Sequence, residues 1–263
     1  MAYSLDELKE LYTSTRDRQK RAYYKRRLKA LGMSESEIKK LLHSRKPEKE
    51  PEPELPKETV NGDDIIKNKK DWTEVVKFDK PVRIGIFGLQ GSGKTTLAKD
   101  IAREQKKHTF IFDVMHEYPF NHRYKVKNRS YPEIAQEFDL FYKNFYKPKV
   151  LEKKIKNILI IDEANRIAPN GRKLAEGLAE LNDLHRHYRN SFVLIARRPA
   201  QLHTDLLELL HYIIVFRLNG INDIKRLNSI KEGLGDKVKQ LGEHEFIIYD
   251  VIKDDIYYSK LDI

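Results

Sequence analysis

The chain has 263 residues, 40% hydrophobic and 35% charged, with 51 Lys and Arg against 40 Asp and Glu, a formal net charge of +11. That length can bury one substantial core plus an appendage, and that charge attracts polyanions. With no cysteine, disulfides and thiolate metal sites are excluded and a reducing, cytoplasmic setting is expected; no apolar run is long enough to span a membrane, and the polar start lacks the apolar stretch of a secretory signal.

In chain order, Ser4 with Glu7 and Ser34 with Glu37 have capping-box spacing, each ahead of a helical apolar pattern, and Gly32 stands where a helix should stop. This predicts a two-helix, basic N-terminal unit over residues 1–45. Its first helix carries Arg16, Arg18, Lys20, Arg21, Lys25, Arg26, Arg27 and Lys29 around much of its circumference. Such a pattern suits a solvated face, or equally a surface for DNA phosphates or an acidic partner. "KPEKEPEPELPKE", Lys46 to Glu58, is Pro- and Glu-rich with almost nothing apolar, which predicts an extended tether over 46–60.

From residue 61 to 263, short apolar runs alternate with helical stretches, which predicts an α/β domain with a parallel sheet covered on both faces. The expected strands are Arg83 to Phe87, Thr109 to Asp113, Asn157 to Ile161, Ser191 to Ala196 and Tyr212 to Leu218, with a closing antiparallel hairpin in "EFIIYDVIKDDIYYSKLD". After the first strand, "FGLQGSGKTTLAKD" fits G-x-x-x-x-G-K-[ST] at Gly88, Gly93, Lys94 and Thr95, with Gly91 a further glycine inside the loop. Strand, glycine loop and helix follow in the order a phosphate cradle needs. The stretch Gly88, Leu89, Gln90, Gly91, Ser92, Gly93, Lys94, Thr95 and Thr96 is therefore expected to hold ATP. Backbone N–H groups and Lys94 meet the phosphates, and the Thr95 hydroxyl ligates Mg²⁺.

"NILIIDEANR" runs four apolar residues into Asp162 and Glu163 at a strand's C-terminal end, the edge where parallel sheets bind ligands. Asp162 is expected to complete the Mg²⁺ site and Glu163 to polarise the attacking water. Glu163 separates the chain from signalling GTPases and most P-loop nucleotide kinases, and is similar to the catalytic-glutamate division of P-loop NTPases. That likeness implies the sheet order 5-1-4-3-2, with the tip of strand four beside the γ-phosphate. Arg197 and Arg198 stand there, and a buried strand end tolerates two arginines only where anions receive them.

"FIFDVMHEY", "NILIIDEANR", "LHRHYRNSFVLIARRPAQL" and "HYIIVFRLNGINDIKRL", in this order, resemble the HerA/FtsK superfamily of ring-forming, DNA-pumping ATPases over roughly residues 82–262. Among these the chain looks most like the compact viral genome-packaging ATPases. The resemblance implies a homohexameric ring that moves double-stranded DNA by its backbone, without reading bases, and in a viral setting a place in the host cytoplasm or virion. A capsid or membrane-vertex protein would dock on the N-terminal helices. By position it implies Arg197 in the place of a γ-phosphate sensor, where relatives commonly carry Gln, and Arg186, preferred over Arg189, offered to a neighbour's nucleotide. It leaves His116 and Glu117 between coupling to the nucleotide and loop packing. Tyr118, Tyr142, Phe145 and Tyr146 have the chemistry to stack on bases, though aromatic residues on such a stretch more commonly form helix core. The competing readings are the same motor in plasmid transfer or chromosome maintenance, a P-loop kinase, and an adaptor that binds ATP without hydrolysing it.

Overall fold

The computed structural model describes residues 4–14, 18–43, 69–105 and 108–262; the expected tether at 46–60 lies outside them. The chain divides into two compact units, Met1–Thr59 and Val60–Ile263.

Among its described residues the first unit has three helices where two were expected: α1 (Leu5–Ser14), α2 (Arg18–Ala30) and α3 (Glu35–His43). Leu8, Tyr12, Leu28 and Ile38 form one buried cluster. In an unbroken helix Leu8 and Leu28 would stand about 30 Å apart, so the chain must fold back between them. Both capping boxes close. The Glu7 N–H donates to Ser4 Oγ at 3.3 Å and the Ser4 N–H to Glu7 Oε2 at 2.7 Å; Ser34 and Glu37 repeat the pattern at 3.3 and 2.8 Å. Gly32, at φ +91°, ends α2 as its sequence position predicts, with the Met33 N–H returning to the Leu28 carbonyl. Part of the basic surface is neutralised internally, because Lys25 and Lys29 both pair with Glu35, at 3.1 and 2.9 Å.

In the second unit the five expected strands appear as β1 (Arg83–Phe87), β2 (Thr109–Asp113), β4 (Asn157–Ile161), β5 (Asn190–Ala196) and β6 (Tyr212–Phe216), and the hairpin as β7 (Glu245–Asp250) and β8 (Asp255–Lys260). A short strand that the sequence did not announce, β3 (Arg123–Lys125), adds to the far edge. The eight-stranded order is β3-β2-β4-β5-β1-β6-β7-β8. The five core strands thus run 5-1-4-3-2, all parallel, and β7 and β8 continue the sheet antiparallel from β6.

Both faces of the sheet are buried, and side chains alternate between them along each strand. Ile158 and Ile160 of β4 pack with Leu97, Ala98 and Ile101 of the Lys94–Gln105 helix on one face. On the other, Leu159 and Ile161 meet Phe138 of the Glu133–Phe141 helix and Leu178 and Leu181 of the Glu176–Leu184 helix. Tyr118, Tyr142 and Tyr146 are fully buried, so of the two readings open for them core packing is the one the fold adopts; Phe145 is partly exposed. Tyr146 donates its hydroxyl proton to Asn190 Oδ1 at 2.6 Å and also contacts Asn157 Oδ1, tying the aromatic helix to the starts of β4 and β5.

Candidate active site

Three loops leave the C-terminal ends of β1, β4 and β5, which are neighbours in the sheet. Register sets their relative height: Phe87 pairs with Ala196, while Ile161 pairs with Leu194. Arg197 therefore leaves β5 level with the first residue of the glycine loop and just beyond Glu163. Between them is a cavity of about 140 Å³ lined by Gln90, Gly91, Lys94, Thr95, Asp162, Glu163 and Arg197, together with Met115, Glu117, Ile195 and Ala196.

The loop's shape depends on glycine at two positions. A Cβ at Gly88 would lie 2.6 Å from Ser92 Oγ and 2.8 Å from Phe216, so the loop closes on itself only without one. Gly93 has φ +106° and leaves no room, since a Cβ would meet Leu261 Cδ1 at 2.7 Å. Gly93→Ala is therefore expected to cost about 1–3 kcal/mol of stability through backbone strain, read as a lowered Tm, and to weaken nucleotide binding. Adding Leu261→Ala should restore part of the loss by removing the clash but not the strain.

Leu261 and His244 enter the site from the far end of the chain. The His244 Nδ1–H donates to the Ser92 carbonyl at 3.4 Å, and the Leu261 N–H donates to the His244 carbonyl at 3.1 Å. No short-range pattern marks either residue. Both act through the hairpin's position in the sheet. Lys94 folds over the loop, its ammonium donating to the Leu89 carbonyl at 2.7 Å. Burial lowers its pKa, with Glu163 and Asp162 opposing that shift.

Asp162 is buried, and one of its oxygens, Oδ2, has no hydrogen-bond partner. Burial first, and then the charge of Glu163, push its pKa up to about 7. An Asp that binds its proton more tightly when folded destabilises the fold as pH rises through this window. Without nucleotide or metal, Asp162→Asn and wild type should be about equally stable near pH 4, with the variant ahead by a few kcal/mol at and above about pH 7. Thermal unfolding across that range checks it.

Glu163 takes a left-handed backbone, φ +45° and ψ +45°, at the turn from β4 into the Ala164–Ile167 helix. That conformation is uncommon outside glycine and is characteristic of functional turns. Its Oε1 accepts from Arg197 Nε at 3.0 Å, and Arg166 Nε lies 3.8 Å from its Oε2. Arg198 turns the other way, donating to the buried Asp223 at 2.7 Å, so a carboxylate and not a phosphate receives it. Glu117 lines the cavity, whereas the neighbouring His116 bonds through Nε2 to the Val126 carbonyl at 2.7 Å. Arg186 is at the opposite end of the strands, its Nη2 3.4 Å from His211 Nε2 beside the start of β6.

A phosphate-sized anion between Lys94 and Arg197, facing a carboxylate, is what this arrangement accommodates. Residues 84–218, more than half of the chain, match the family model described as ATPase family associated with various cellular activities (AAA). The chain belongs to this AAA family of ATPases. It is a P-loop ATPase, and its fold resembles that of solved viral packaging enzymes. The genome packaging NTPase B204 from Sulfolobus turreted icosahedral virus 2, in complex with ATP-γS, aligns with a TM-score of 0.60 at 22% identity, over 72% of this chain and 100% of that one. The DNA-packaging ATPase B204 from Sulfolobus turreted icosahedral virus aligns at 0.58 and 22%, over 70% and 99%. The pCW3 conjugation coupling protein TcpA aligns at 0.46 and 16%, over 70% and 60%. No curated protein matches the sequence. Among the described residues no helix is long and apolar enough to cross a membrane.

Proposed function

We propose that this AAA ATPase is a Mg²⁺-dependent, ring-forming translocase that drives double-stranded DNA, and that its role is to package a viral genome into a preformed capsid. The observation that carries the reading is the fold likeness to a viral packaging NTPase along the whole of that protein. The net charge of +11 supports a polyanionic track held through its phosphates. A hexamer with nucleotide between subunits is the assembly proposed, and the basic N-terminal helices are the proposed contact for a capsid or membrane-vertex protein.

Each site residue has an assigned role in this reading. The Gly88–Thr96 loop and Lys94 hold the phosphates, with Lys94 already bent over the loop. Asp162 and Thr95 would hold Mg²⁺, which when bound neutralises phosphate charge. The unpartnered, buried Asp162 Oδ2 suits a cation, and among the described residues no group of three His, Asp or Glu side chains could hold a metal unaided. Phosphate oxygens and water would therefore complete the shell. Glu163 is the base for water. Arg197, which pairs with Glu163 at 3.0 Å, would be attracted to the γ-phosphate of bound ATP, and this would free the carboxylate to take the proton. Arg186 is offered to a neighbouring subunit's nucleotide.

The test is the ATPase rate with and without double-stranded DNA across a salt series, on protein verified as assembled. Stimulation that fades steeply as salt rises is the expected result. Stimulation absent at every salt concentration would remove the DNA track and favour a kinase or an ATP-binding adaptor.

A further inference from the structure

At the end of the sheet away from the glycine loop, the starts of β1 and β6 border a cavity of about 530 Å³. Its lining includes Lys77, Lys80, Arg186 and His211, against one carboxylate, Asp79. Neither Lys80 nor Arg186 is in an ion pair among the described residues.

The proton positions here lead to a conflict. The Arg83 backbone N–H donates to His211 Nδ1 at 2.9 Å. A neutral imidazole carries a single N–H, so the proton of His211 is on Nε2. That nitrogen lies 3.4 Å from Arg186 Nη2, and a guanidinium has no acceptor to offer. Two donors thus face each other, and neither can receive the other's proton; the exposed Arg186 has water for its own protons, whereas His211 is buried. Protonating His211 would only turn a second donor against the Arg83 N–H. Burial and the charges of Arg83 and Arg186 hold its pKa down to about 4. His185, with its ring 5.8 Å away, is lowered to about 4 by the same causes. Arg83 adds a buried Nε without a partner. Arg83 Nη1 is satisfied by the Asn182 carbonyl and Oδ1, each at 3.3 Å, and His185 donates from Nδ1 to that same carbonyl and so keeps Nε2 as a bare acceptor; the donors left without an acceptor are His211 Nε2–H and Arg83 Nε–H.

We propose that this cavity binds a phosphate group, one oxygen of which accepts from both Arg186 and His211 while Lys77 and Lys80 face it from the rim. Lys77 now donates to the Thr73 carbonyl at 2.8 Å, a bond to an exposed carbonyl that water can replace. The phosphate cannot be one held by the same chain's glycine loop, because the five residues of β1 separate the two sites by roughly 17 Å. It comes either as a free or nucleotide phosphate, or as part of a nucleic-acid backbone, and the chemistry of recognition is the same for both. The inference does not depend on DNA translocation.

Nitrogen-15 NMR of the full chain labelled at its nine histidines, with His211→Gln to assign the signal, tests this. The first probe is inorganic phosphate, added to the Lys94→Ala chain so that the glycine loop does not compete, and then to wild type. A saturable shift of His211 Nε2 is expected in both, with no response to chloride at matched ionic strength. Arg186→Gln should weaken the binding about tenfold or more, and Arg186→Lys should retain part of it, which also guards against a folding defect. ATP and a short DNA duplex form separate arms: a shift with ATP assigns the site to a nucleotide, and a shift with duplex alone assigns it to a backbone phosphate. A His211 signal unmoved by phosphate, ATP and duplex, or phosphate affinity undiminished in Arg186→Gln, would overturn the proposal.

Discussion

Glu163→Gln should leave ATP binding intact and cut hydrolysis by about 10²- to 10⁴-fold, the usual range for losing a positioned general base. The amide keeps the size and one acceptor oxygen of the carboxylate, so the turn from β4 and the contact to Arg197 survive in weakened form. What it loses is the ability to take a proton. Nucleotide affinity should hold or rise slightly, since a negative charge leaves the wall of a cavity meant for phosphates. Calorimetric binding beside single-turnover phosphate release separates the effects. Parallel loss of binding and turnover would make Glu163 structural, and turnover unchanged from the wild-type rate would remove it as the base.

Arg197→Ala is expected to lower kcat by about 10²- to 10³-fold while moving the ATP KM far less. Its guanidinium is partly exposed and 3.0 Å from Glu163, close enough to be drawn to a terminal phosphate as negative charge builds there. An arginine cannot accept a hydrogen bond from water, so its contribution is electrostatic, and Arg197→Lys should keep part of it. If Arg197 merely held Glu163 in place, removing it would leave kcat within a few fold, because Arg166 also approaches that carboxylate, at 3.8 Å. Steady-state kinetics with ATP saturating and limiting decide between these outcomes.

Much of the site was legible because its signals are local. Four residues in an eight-residue window mark a phosphate loop, four apolar residues before two acids mark a buried strand ending in carboxylates, and period-two apolar runs mark the strands between. The sheet order followed from the likeness to catalytic-glutamate P-loop NTPases that Glu163, next to Asp162, carries. The same locality explains what was missed or left open. Basic residues on all sides of α2 gave no clue to where α1 ends, and three residues of β3 at a sheet edge carry too little pattern to stand out. A run of aromatic residues does not state whether its rings face a core or a ligand; the burial of Tyr142 and Tyr146 does.

By itself, then, the sequence determined a P-loop in an α/β domain and two adjacent acids at the end of a buried strand, Asp162 as the proposed metal ligand and Glu163 as the proposed base. Only the tertiary structure decided that Arg197 meets Glu163 while Arg198 goes to Asp223. It alone decided that Leu261 and His244 close on the glycine loop, and that Arg186 and His211 confront each other with protons at the opposite end. Each of these joins residues distant along the chain, and strand neighbours and register set such meetings. Covalent spacing encodes what a window of ten residues can do; the pairing of β5 between β1 and β4 encodes which side chains share a space.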